Sequence, residues 1–165
     1  MDLLLRSSNR MTLSGLRLYV GTVVKNGNGV LLVRQSPGHP LEGHWTIPWG
    51  AVESNESAAS AALRETMEEG GIEAEIEALL GVQELPPPQD GCTAIVYLCK
   101  HLSGTPAPQD QETDAARYFS PEEFASLAEP IEPWTEWLVY RVFSGKTFAI
   151  PSHPDNPLRA RGSFV

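Results

Sequence analysis

The sequence has little cysteine, no long apolar run and a deficit of positive charge. Its two cysteines, Cys92 and Cys99, match no zinc-ligand spacing and no disulfide framework, so we interpret them as small buried side chains. No apolar stretch approaches the length that crosses a bilayer, and MDLLLRSSNR lacks the basic residue that precedes the apolar core of a signal peptide. We therefore expect a cytoplasmic protein with no membrane partner.

The charge balance argues against a polymer of nucleic acid as the partner. Lysine and arginine number 12 against 21 aspartates and glutamates, which gives a formal net charge of −9. A protein that binds the backbone of DNA or RNA needs a basic face. An acidic chain can still act on an anionic small molecule if cations lie between the two, so the sequence has to supply a place for cations.

The chain is predicted to form one domain with two loose ends. Its 165 residues suffice for one buried core, and they contain no internal repeat and no low-complexity linker. The domain is predicted over residues 15–145. Residues 1–14 have no clear period and are predicted to form a loose tail, and the Pro-rich residues 146–165 are predicted to form another.

Runs of β-branched and alternating apolar residues predict the strands. A hairpin is predicted at Asn26-Gly27, with both turn positions at positive φ. One strand is predicted to keep a single alternation from Glu73, with its apolar residues facing the core as far as Leu80 and Val82. The predicted strands cover residues 16–24, 30–33, 73–82, 93–100 and 115–119, and residues 45–52 are predicted to form a short strand and a turn.

Capping residues predict three helices. The first is expected to begin after Ser54 or Asn55 and to end at Gly70 or Gly71, since glycine tolerates the left-handed conformation that ends a helix. Later helices are predicted at Ser120-Pro121-Glu122-Glu123 and at Pro133. Strands before, between and after these helices predict an α/β fold with an α/β/α layer arrangement and a mixed sheet.

The segment LRETMEEGG, residues 63–71, gathers three glutamates on the first helix. Glu65, Glu68 and Glu69 fall at helical spacings that place their carboxylates on one side, where like charges destabilise a helix. A solvated acidic face, a set of ion pairs with Arg64, and a site for a hard divalent cation would each explain the cluster. Taken alone, the segment favours the solvated face, because most acidic runs are of that kind.

The residues around this segment change that interpretation. Counted from Gly50, the chain resembles the signature of the Nudix hydrolase family, Gly-x5-Glu-x7-Arg-Glu-U-x-Glu-Glu-x-Gly-U, in which U is aliphatic. Every fixed charged and glycine position matches, and one aliphatic position carries Thr66 instead. The matching residues are Gly50, Glu56, Arg64, Glu65, Glu68, Glu69, Gly71 and Ile72.

The resemblance implies a Nudix-type α/β/α sandwich with a mixed sheet and a loop–helix–loop metal site. Its cofactor would be Mg²⁺ or Mn²⁺, bound by Glu65, Glu68 and Glu69, which would also be the catalytic residues. Arg64 would orient a glutamate of the signature, and the Gly50 carbonyl could add a ligand. Glu56 is interpreted as structural, and Gly71 as serving the turn out of the helix.

A further acid is expected from the loop QDQETD, residues 109–114, as catalytic base or metal ligand. Glu112 is the choice that the resemblance suggests, because related chains carry the loop acid six residues before the position of Tyr118. Asp110 and Asp114 are its competitors, and three solvated loop acids are the plainer alternative.

Two residues are candidates for substrate contact. Trp49 stands where the family often has a second glycine, so its indole either narrows the pocket and stacks on a base or packs on the core. Arg34, with Gln35 beside it at the end of the second strand, could reach a phosphate or a base.

The implied reaction is attack of water on a diphosphate. The substrate would be a nucleoside diphosphate linked to another group, with ADP-ribose and nucleoside triphosphates as candidates. A proline at Pro86–Pro88 resembles the ADP-ribose-cleaving branch. A non-catalytic module that senses a nucleotide or sugar nucleotide is the alternative, and a diphosphate isomerase is disfavoured because the signature is complete. A homodimer is a family-level expectation.

Overall fold

The structure, a computed structural model, describes residues 17–85, 92–146 and the backbone of 150–151. The predicted tail 1–14, the turn at Pro86–Pro88 and most of the predicted tail 146–165 lie outside the described residues. In the described part, no helix combines the length and the apolar character needed to span a bilayer. The elements are β1 (Arg17–Asn26), β2 (Gly29–Gln35), β3 (Trp45–Thr46), β4 (Trp49–Ala51), α1 (Ala58–Gly70), β5 (Ile72–Glu84), β6 (Cys92–Gly104), β7 (Thr113–Phe119), α2 (Pro121–Ala125), α3 (Pro133–Phe143) and β8 (Ile150–Pro151).

The strands form one mixed sheet. Its order is β3-β2-β1-β6-β5-β8, with β4 beside β1 and β7 beside β2. The central strands β1 and β6 are parallel, from the pair Arg17 and Cys92 to the pair Lys25 and Lys100. The other pairs of strands are antiparallel. The predicted mixed sheet is confirmed.

Helices cover both faces of this sheet. On one face, Ala61 and Ala62 of α1 pack against Val20 of β1, and the small alanine side chains let the helix approach the strand closely. On the other face, a larger cluster joins the sheet to α2 through Phe124 and to α3 through Leu138. The predicted α/β/α arrangement is therefore confirmed, and we refer to the two sides as the α1 face and the α3 face.

The hairpin between β1 and β2 differs from its prediction by one residue. Asn26 pairs with Gly29, so the two loop residues are Gly27 and Asn28. Of these, Gly27 has a positive φ of 59° and Asn28 does not. A turn with glycine at its first central position needs positive φ only there. The expectation of two positive φ values at Asn26-Gly27 is wrong.

Helix α1 begins later than predicted and ends where predicted. Its N-cap is Ser57, whose hydroxyl accepts from the backbone N–H of Ser60 at 3.0 Å. Asn55 has a φ of 67°, which is not the extended conformation of an N-cap, so neither Ser54 nor Asn55 caps the helix. At the other end Gly71 has a φ of 68°, and its N–H bonds to the carbonyl of Met67. The prediction that Gly71 forms the turn out of the helix is confirmed.

Strand β5 does not keep a single alternation. Its pairing with β6 shifts register at three places, and two of these shifts place an extra residue in β5, at Glu77 and at Leu80. Such a β-bulge turns the following side chains of the strand to the opposite face. Ile76 therefore packs in a cluster with Leu31, whereas Leu80 packs against the core on the α3 face. Val82 is 62% exposed, so the prediction that it faces the core is wrong.

Thr66, which stands where the signature has an aliphatic residue, has a hydrogen-bond partner in the sheet. Thr66 is fully buried on α1, and its hydroxyl lies 2.7 Å from the hydroxyl of Thr22 on β1. It also donates to the carbonyl of Ala62 at 2.7 Å. A buried hydroxyl is costly unless it is hydrogen-bonded. Thr22 therefore makes a polar residue acceptable at a position where the signature has an aliphatic one.

Candidate functional site

The three glutamates of α1 are not equivalent in the folded chain. Glu69 is 1% exposed and Glu65 is 8% exposed, whereas Glu68 is far more accessible. A solvated acidic face, which the segment alone favours, does not describe Glu65 and Glu69. Carboxylates are seldom buried unless they are paired or bind a cation.

Arg64 neutralises part of this cluster. Its guanidinium binds both carboxylate oxygens of Glu56 at 3.0 Å, Glu65 at 2.8 Å and Glu68 at 3.0 Å. A fifth hydrogen bond reaches the carbonyl of Ala51 at 3.1 Å. The two bonds to Glu56 lower the pKa of that carboxyl, and the same contacts raise the pKa of Arg64. Arg64 thus fixes the start of α1 and orients two of its glutamates.

Glu69 lies beyond the reach of this arginine. Its carboxylate accepts the backbone N–H of Trp49 at 2.8 Å and, more weakly, the side-chain amide of Gln35 at 3.5 Å. Within the described residues it forms no ion pair with a cation. Burial raises the pKa of Glu69 to about 8, and the negative charges of Glu65 and Asp110 act in the same direction. A cation near Glu69 would therefore stabilise the ionised form of its carboxyl group.

Gly50 is required by the position of Glu65. A Cβ atom at residue 50 would lie 2.1 Å from the carboxylate carbon of Glu65, so a larger residue there would displace that carboxylate. The carboxylate thus occupies the space that any larger residue would fill. Burial raises the pKa of Glu65, Arg64 opposes that effect, and the charges of Glu68 and Glu112 add to it.

The loop between β6 and β7 is attached to the end of α1. The N–H of Ala107 donates to the carbonyl of Gly70 at 3.1 Å, and the N–H of Gln109 donates to that of Glu68 at 2.7 Å. These are carbonyls that a helix leaves without partners at its C-terminus. The same packing explains Gly71 a second time, because a Cβ there would lie 1.9 Å from the carbonyl oxygen of Ala107.

This attachment brings two loop acids to the glutamates. The charge of Asp110 acts on Glu69 and that of Glu112 on Glu65. Asp110 also accepts the N–H of Glu112 at 3.0 Å, which fixes the turn between them. Asp114, the third competitor, instead forms an ion pair with Arg34 at 2.7 Å. The roles of these acids stay predictions.

The donors at this site fit a hard divalent cation by their chemistry. Glu65, Glu68, Glu69, Asp110 and Glu112 supply carboxylate oxygens, the ligands that Mg²⁺ and Mn²⁺ prefer. In the described part of the chain, no three acidic, histidine or cysteine side chains are already close enough to form a ready cation site. A bound cation would have to draw carboxylates together, and the space left by Gly50 gives the Glu65 carboxylate its place.

The two predicted substrate residues lie in different surroundings. Trp49 is partly buried, and its ring packs beside Tyr19 with 5.6 Å between the ring centroids, adjacent to the backbone contact with Glu69. Arg34 is held by Asp114 and by Glu129 at 3.2 Å. Both assignments to the substrate stay predictions, and a role for Arg34 requires that a phosphate compete with two carboxylates.

Some contacts that support the site carry no signal in the sequence. The backbone N–H of Trp49 holds the Glu69 carboxylate, and the Thr113 hydroxyl donates to the Glu69 carbonyl at 3.0 Å. The amide of Gln35 is buried and also donates to Thr46 at 3.3 Å. A backbone donor leaves no mark on residue type, and a threonine at the start of a strand is common for its β-propensity alone.

Comparisons with known proteins identify the family of the chain. Residues 15–138 match the family model described as NUDIX domain. A MutT-like protein of Streptomyces ambofaciens is 30% identical over 103 residues, which are 62% of this chain and 62% of that protein. An ADP-ribose pyrophosphatase of Methanocaldococcus jannaschii is 28% identical over 111 residues, 66% of this chain and 64% of that one. The chain thus covers slightly less than two thirds of the length of either relative.

A solved structure extends the similarity to three dimensions. The crystal structure of a NUDIX hydrolase from Nitrosomonas europaea superposes with a TM-score of 0.69 and 26% sequence identity. The match covers 80% of this chain and 72% of that one.

Proposed function

The chain belongs to the NUDIX domain family, and from this premise we propose that it hydrolyses the diphosphate bond of a nucleoside diphosphate linked to another group. The observation that carries the proposal is the pair of buried carboxylates, Glu65 and Glu69, on a helix whose only cation, Arg64, pairs with Glu65 and with two more exposed acids but not with Glu69. Burying such charges costs stability. Attraction between these carboxylates and a divalent cation that also binds the diphosphate would offset that cost.

The proposed cation ligands are Glu65, Glu68 and Glu69, with Glu112 and the Gly50 carbonyl as further candidates. Mg²⁺ or Mn²⁺ bound there would neutralise charge on the phosphate oxygens and would lower the pKa of water. Arg64 keeps Glu65 and Glu68 in place through its hydrogen bonds, and the N–H of Trp49 does the same for Glu69.

The proposed reaction needs one carboxylate to accept a proton. The water oxygen forms a bond to phosphorus, the phosphoric anhydride bond breaks, and its electron pair leaves with the departing phosphate. The proton of the water passes to a carboxylate oxygen. Glu112 is the proposed acceptor, and a glutamate of α1 is the alternative.

ADP-ribose is the first substrate to test, and nucleoside triphosphates are the second. The M. jannaschii relative is named for ADP-ribose, which makes it a reasonable probe for this chain. Trp49, beside the Glu69 contact, is the proposed stacking partner for a ring of the substrate. Arg34 is proposed to contact a phosphate or a base.

Turnover of a nucleotide panel with Mg²⁺ or Mn²⁺ tests the function. We expect release of a phosphate product by the wild type and a loss of at least about a hundredfold in rate for Glu69→Gln, because catalysis of this kind relies on charge stabilisation. Glu77→Gln, on an exposed position of β5, is the matched control and should retain full activity. Metal-dependent turnover that survives Glu69→Gln would contradict the assignment. Tight binding of one nucleotide without hydrolysis would favour the sensor.

A further inference from the structure

Apolar side chains stay partly exposed on the α1 face, along strand β5. Residues paired across neighbouring strands point to the same face of a sheet. Val20, which packs against α1, pairs with Ile95 of β6, and Ile95 pairs with Val82 of β5. Leu79 pairs with Tyr97, which packs on the same cluster as Ile95. Leu79 and Val82 therefore lie on the α1 face.

Two further residues extend this surface. Ile76 packs on a cluster together with Tyr97. Leu63 borders it from α1, because residues two apart on a helix point to opposite flanks and Glu65 points to Gly50 of β4. Strands β4 and β6 lie on opposite edges of β1, so Leu63 is on the side of β6 and β5. We call this surface the β5 strip and define it by Leu63, Ile76, Leu79, Val82, Ile95 and Tyr97.

The described residues cover the β5 strip only in part. Val82 is 62% exposed, and the other members of the strip are partly buried. Within the described part of the chain, Leu79 and Val82 belong to none of the three hydrophobic clusters. A contiguous apolar surface of this kind marks a place where another segment or molecule packs.

The segment that precedes β1, residues 1–16, joins the sheet close to the strip. Strand β1 begins at Arg17, opposite Cys92. Val82 is in register with Val20, three residues further along β1 and two strands away, which is a distance of about 14 Å. Sixteen extended residues span up to about 50 Å. The segment is therefore long enough to reach the whole strip.

The composition of residues 1–16 suits this surface. Seven of these 16 residues are leucine or methionine, and three leucines follow one another at Leu3–Leu5. The segment also carries Arg6 and Arg10 against one acid, Asp2. Strand β5 contains four glutamates and no lysine or arginine. Apolar side chains and opposite charges are thus available together on both partners.

The segment that follows β8 is less suitable. Strand β8 pairs first with Leu79 and then with Ala78, so the chain runs away from Val82. Residues 152–165 contain one leucine and no methionine, which gives them less apolar surface than residues 1–16. Residues 1–16 are therefore the better occupant of the strip.

We propose that residues 1–16 dock on the β5 strip of the same molecule, with their leucines on its apolar side chains and with Arg6 and Arg10 beside the glutamates of β5. Such docking replaces the expectation of a loose tail at residues 1–14, which depended on the lack of a clear period. It does not depend on the proposed function, because the strip lies on the flank of α1 opposite Glu65.

Thiol labelling of Val82→Cys in the full chain tests this docking. Cys92 and Cys99 are buried, so an introduced thiol at an uncovered position reacts faster than either. Gln83→Cys is the matched control, because Gln83 is the next residue of β5, is exposed and points to the other face. We expect Val82→Cys to react about tenfold more slowly than Gln83→Cys, since docking must open before the thiol is reached.

Replacing Leu3, Leu4 and Leu5 with serine removes the proposed contacts. In Val82→Cys these substitutions should raise the labelling rate to about that of Gln83→Cys, and in Gln83→Cys they should leave the rate unchanged. The three leucines precede the first strand of the sheet, so the variants are expected to fold, and unfolding curves check this.

Three results would overturn the proposal. Equal labelling of Val82→Cys and Gln83→Cys with the leucines in place would show that the strip is uncovered. Protection that survives the three serines but is lost with Leu158→Ser and Phe164→Ser would assign the strip to residues 152–165. Protection that falls on dilution, together with a dimer in sedimentation equilibrium, would assign it to a second copy of the chain.

Discussion

Glu69 carries a carboxyl group whose charged form is disfavoured where it lies. Its side chain is fully buried, an N–H and an amide contact it, and neighbouring carboxylates add negative potential. Glu65 shares the same burial to a smaller degree but has Arg64 beside it. At the residue scale, Arg64 therefore partly neutralises Glu65, whereas Glu69 forms no ion pair with a cation among the described residues.

The pH dependence of stability should reveal Glu69. Burial raises its pKa from 4.5 to about 8, so between these values the folded chain holds a proton that the unfolded chain has lost. The free energy of unfolding should then fall as pH rises through this window, by at most about 1.4 kcal/mol per pH unit. Denaturant titrations of metal-free protein at several pH values measure it.

Glu69→Gln should flatten that slope and make the metal-free protein more stable at pH 8. Glu77→Gln again serves as the exposed control and should keep the slope of the wild type. Added Mg²⁺ should raise the stability of the wild type at pH 8 and that of Glu69→Gln much less. Identical slopes for wild type and Glu69→Gln would mean that Glu69 is ionised without a cost.

The loop acids give a second test at this scale. Glu112→Gln should lower kcat by about a hundredfold or more if Glu112 is the base or a ligand. Asp114→Asn should have a smaller effect, because Asp114 pairs with Arg34. Asp110→Asn is the decisive comparison, since Asp110 lies close enough to influence Glu69. Rates measured at saturating Mg²⁺ rank the three, and a larger loss at Asp110 would show that Glu112 is the wrong choice.

The sequence predicted the identity of the acidic cluster but not its surroundings. The spacing from Gly50 to Ile72 could be recognised because each fixed residue has a required charge or conformation. The two donors that hold the Glu69 carboxylate could not be recognised, since one is a backbone N–H and the other is the side-chain amide of an ordinary polar residue, Gln35. Contacts between distant segments depend on the packed sheet rather than on local pattern.

At the scale of elements, α1 is positioned by its two ends and by one polar contact in its middle. Ser57 and Gly71 fix where the helix begins and ends. The Thr22–Thr66 pair fixes it against β1. The C-cap could be predicted because two glycines stand together at that end of the helix. The N-cap could not be predicted, because several serines and an asparagine near the start of the helix are equally suitable capping residues. The bulges of β5 could not be predicted, because an extra residue in a strand leaves the composition unchanged.

The threonine pair should show strong coupling. Thr66→Val leaves the buried hydroxyl of Thr22 without its partner, so it should lower the free energy of unfolding by about 1–3 kcal/mol. The double variant Thr22→Val, Thr66→Val replaces both groups with apolar ones of the same shape and should be more stable than Thr66→Val. Denaturant unfolding of the two single variants and the double variant measures the coupling. Additive losses would contradict the direct contact.

At the scale of the whole molecule, the two faces of the sheet carry different kinds of side chains. The α1 face bears the carboxylates, and the α3 face bears the larger hydrophobic cluster. Strand β4, at the side of β1, connects them, because the backbone of Trp49 serves one and its side chain lies towards the other. The layer arrangement and the mixed sheet could be predicted from the order of strands and helices. The order of strands in the sheet could not, because it depends on pairs far apart in sequence.

The parallel pairing of β1 with β6 has a consequence for the newborn chain. Arg17 pairs with Cys92, so β1 can pair with β6 only after about 75 further residues have emerged from the ribosome. At about 5–20 residues per second, that delay is roughly 4–15 seconds. Asp110 and Glu112 follow later still. The acids of the site are therefore brought together only after residue 112 has emerged, and a cation can stabilise the fold only when most of the domain is already made.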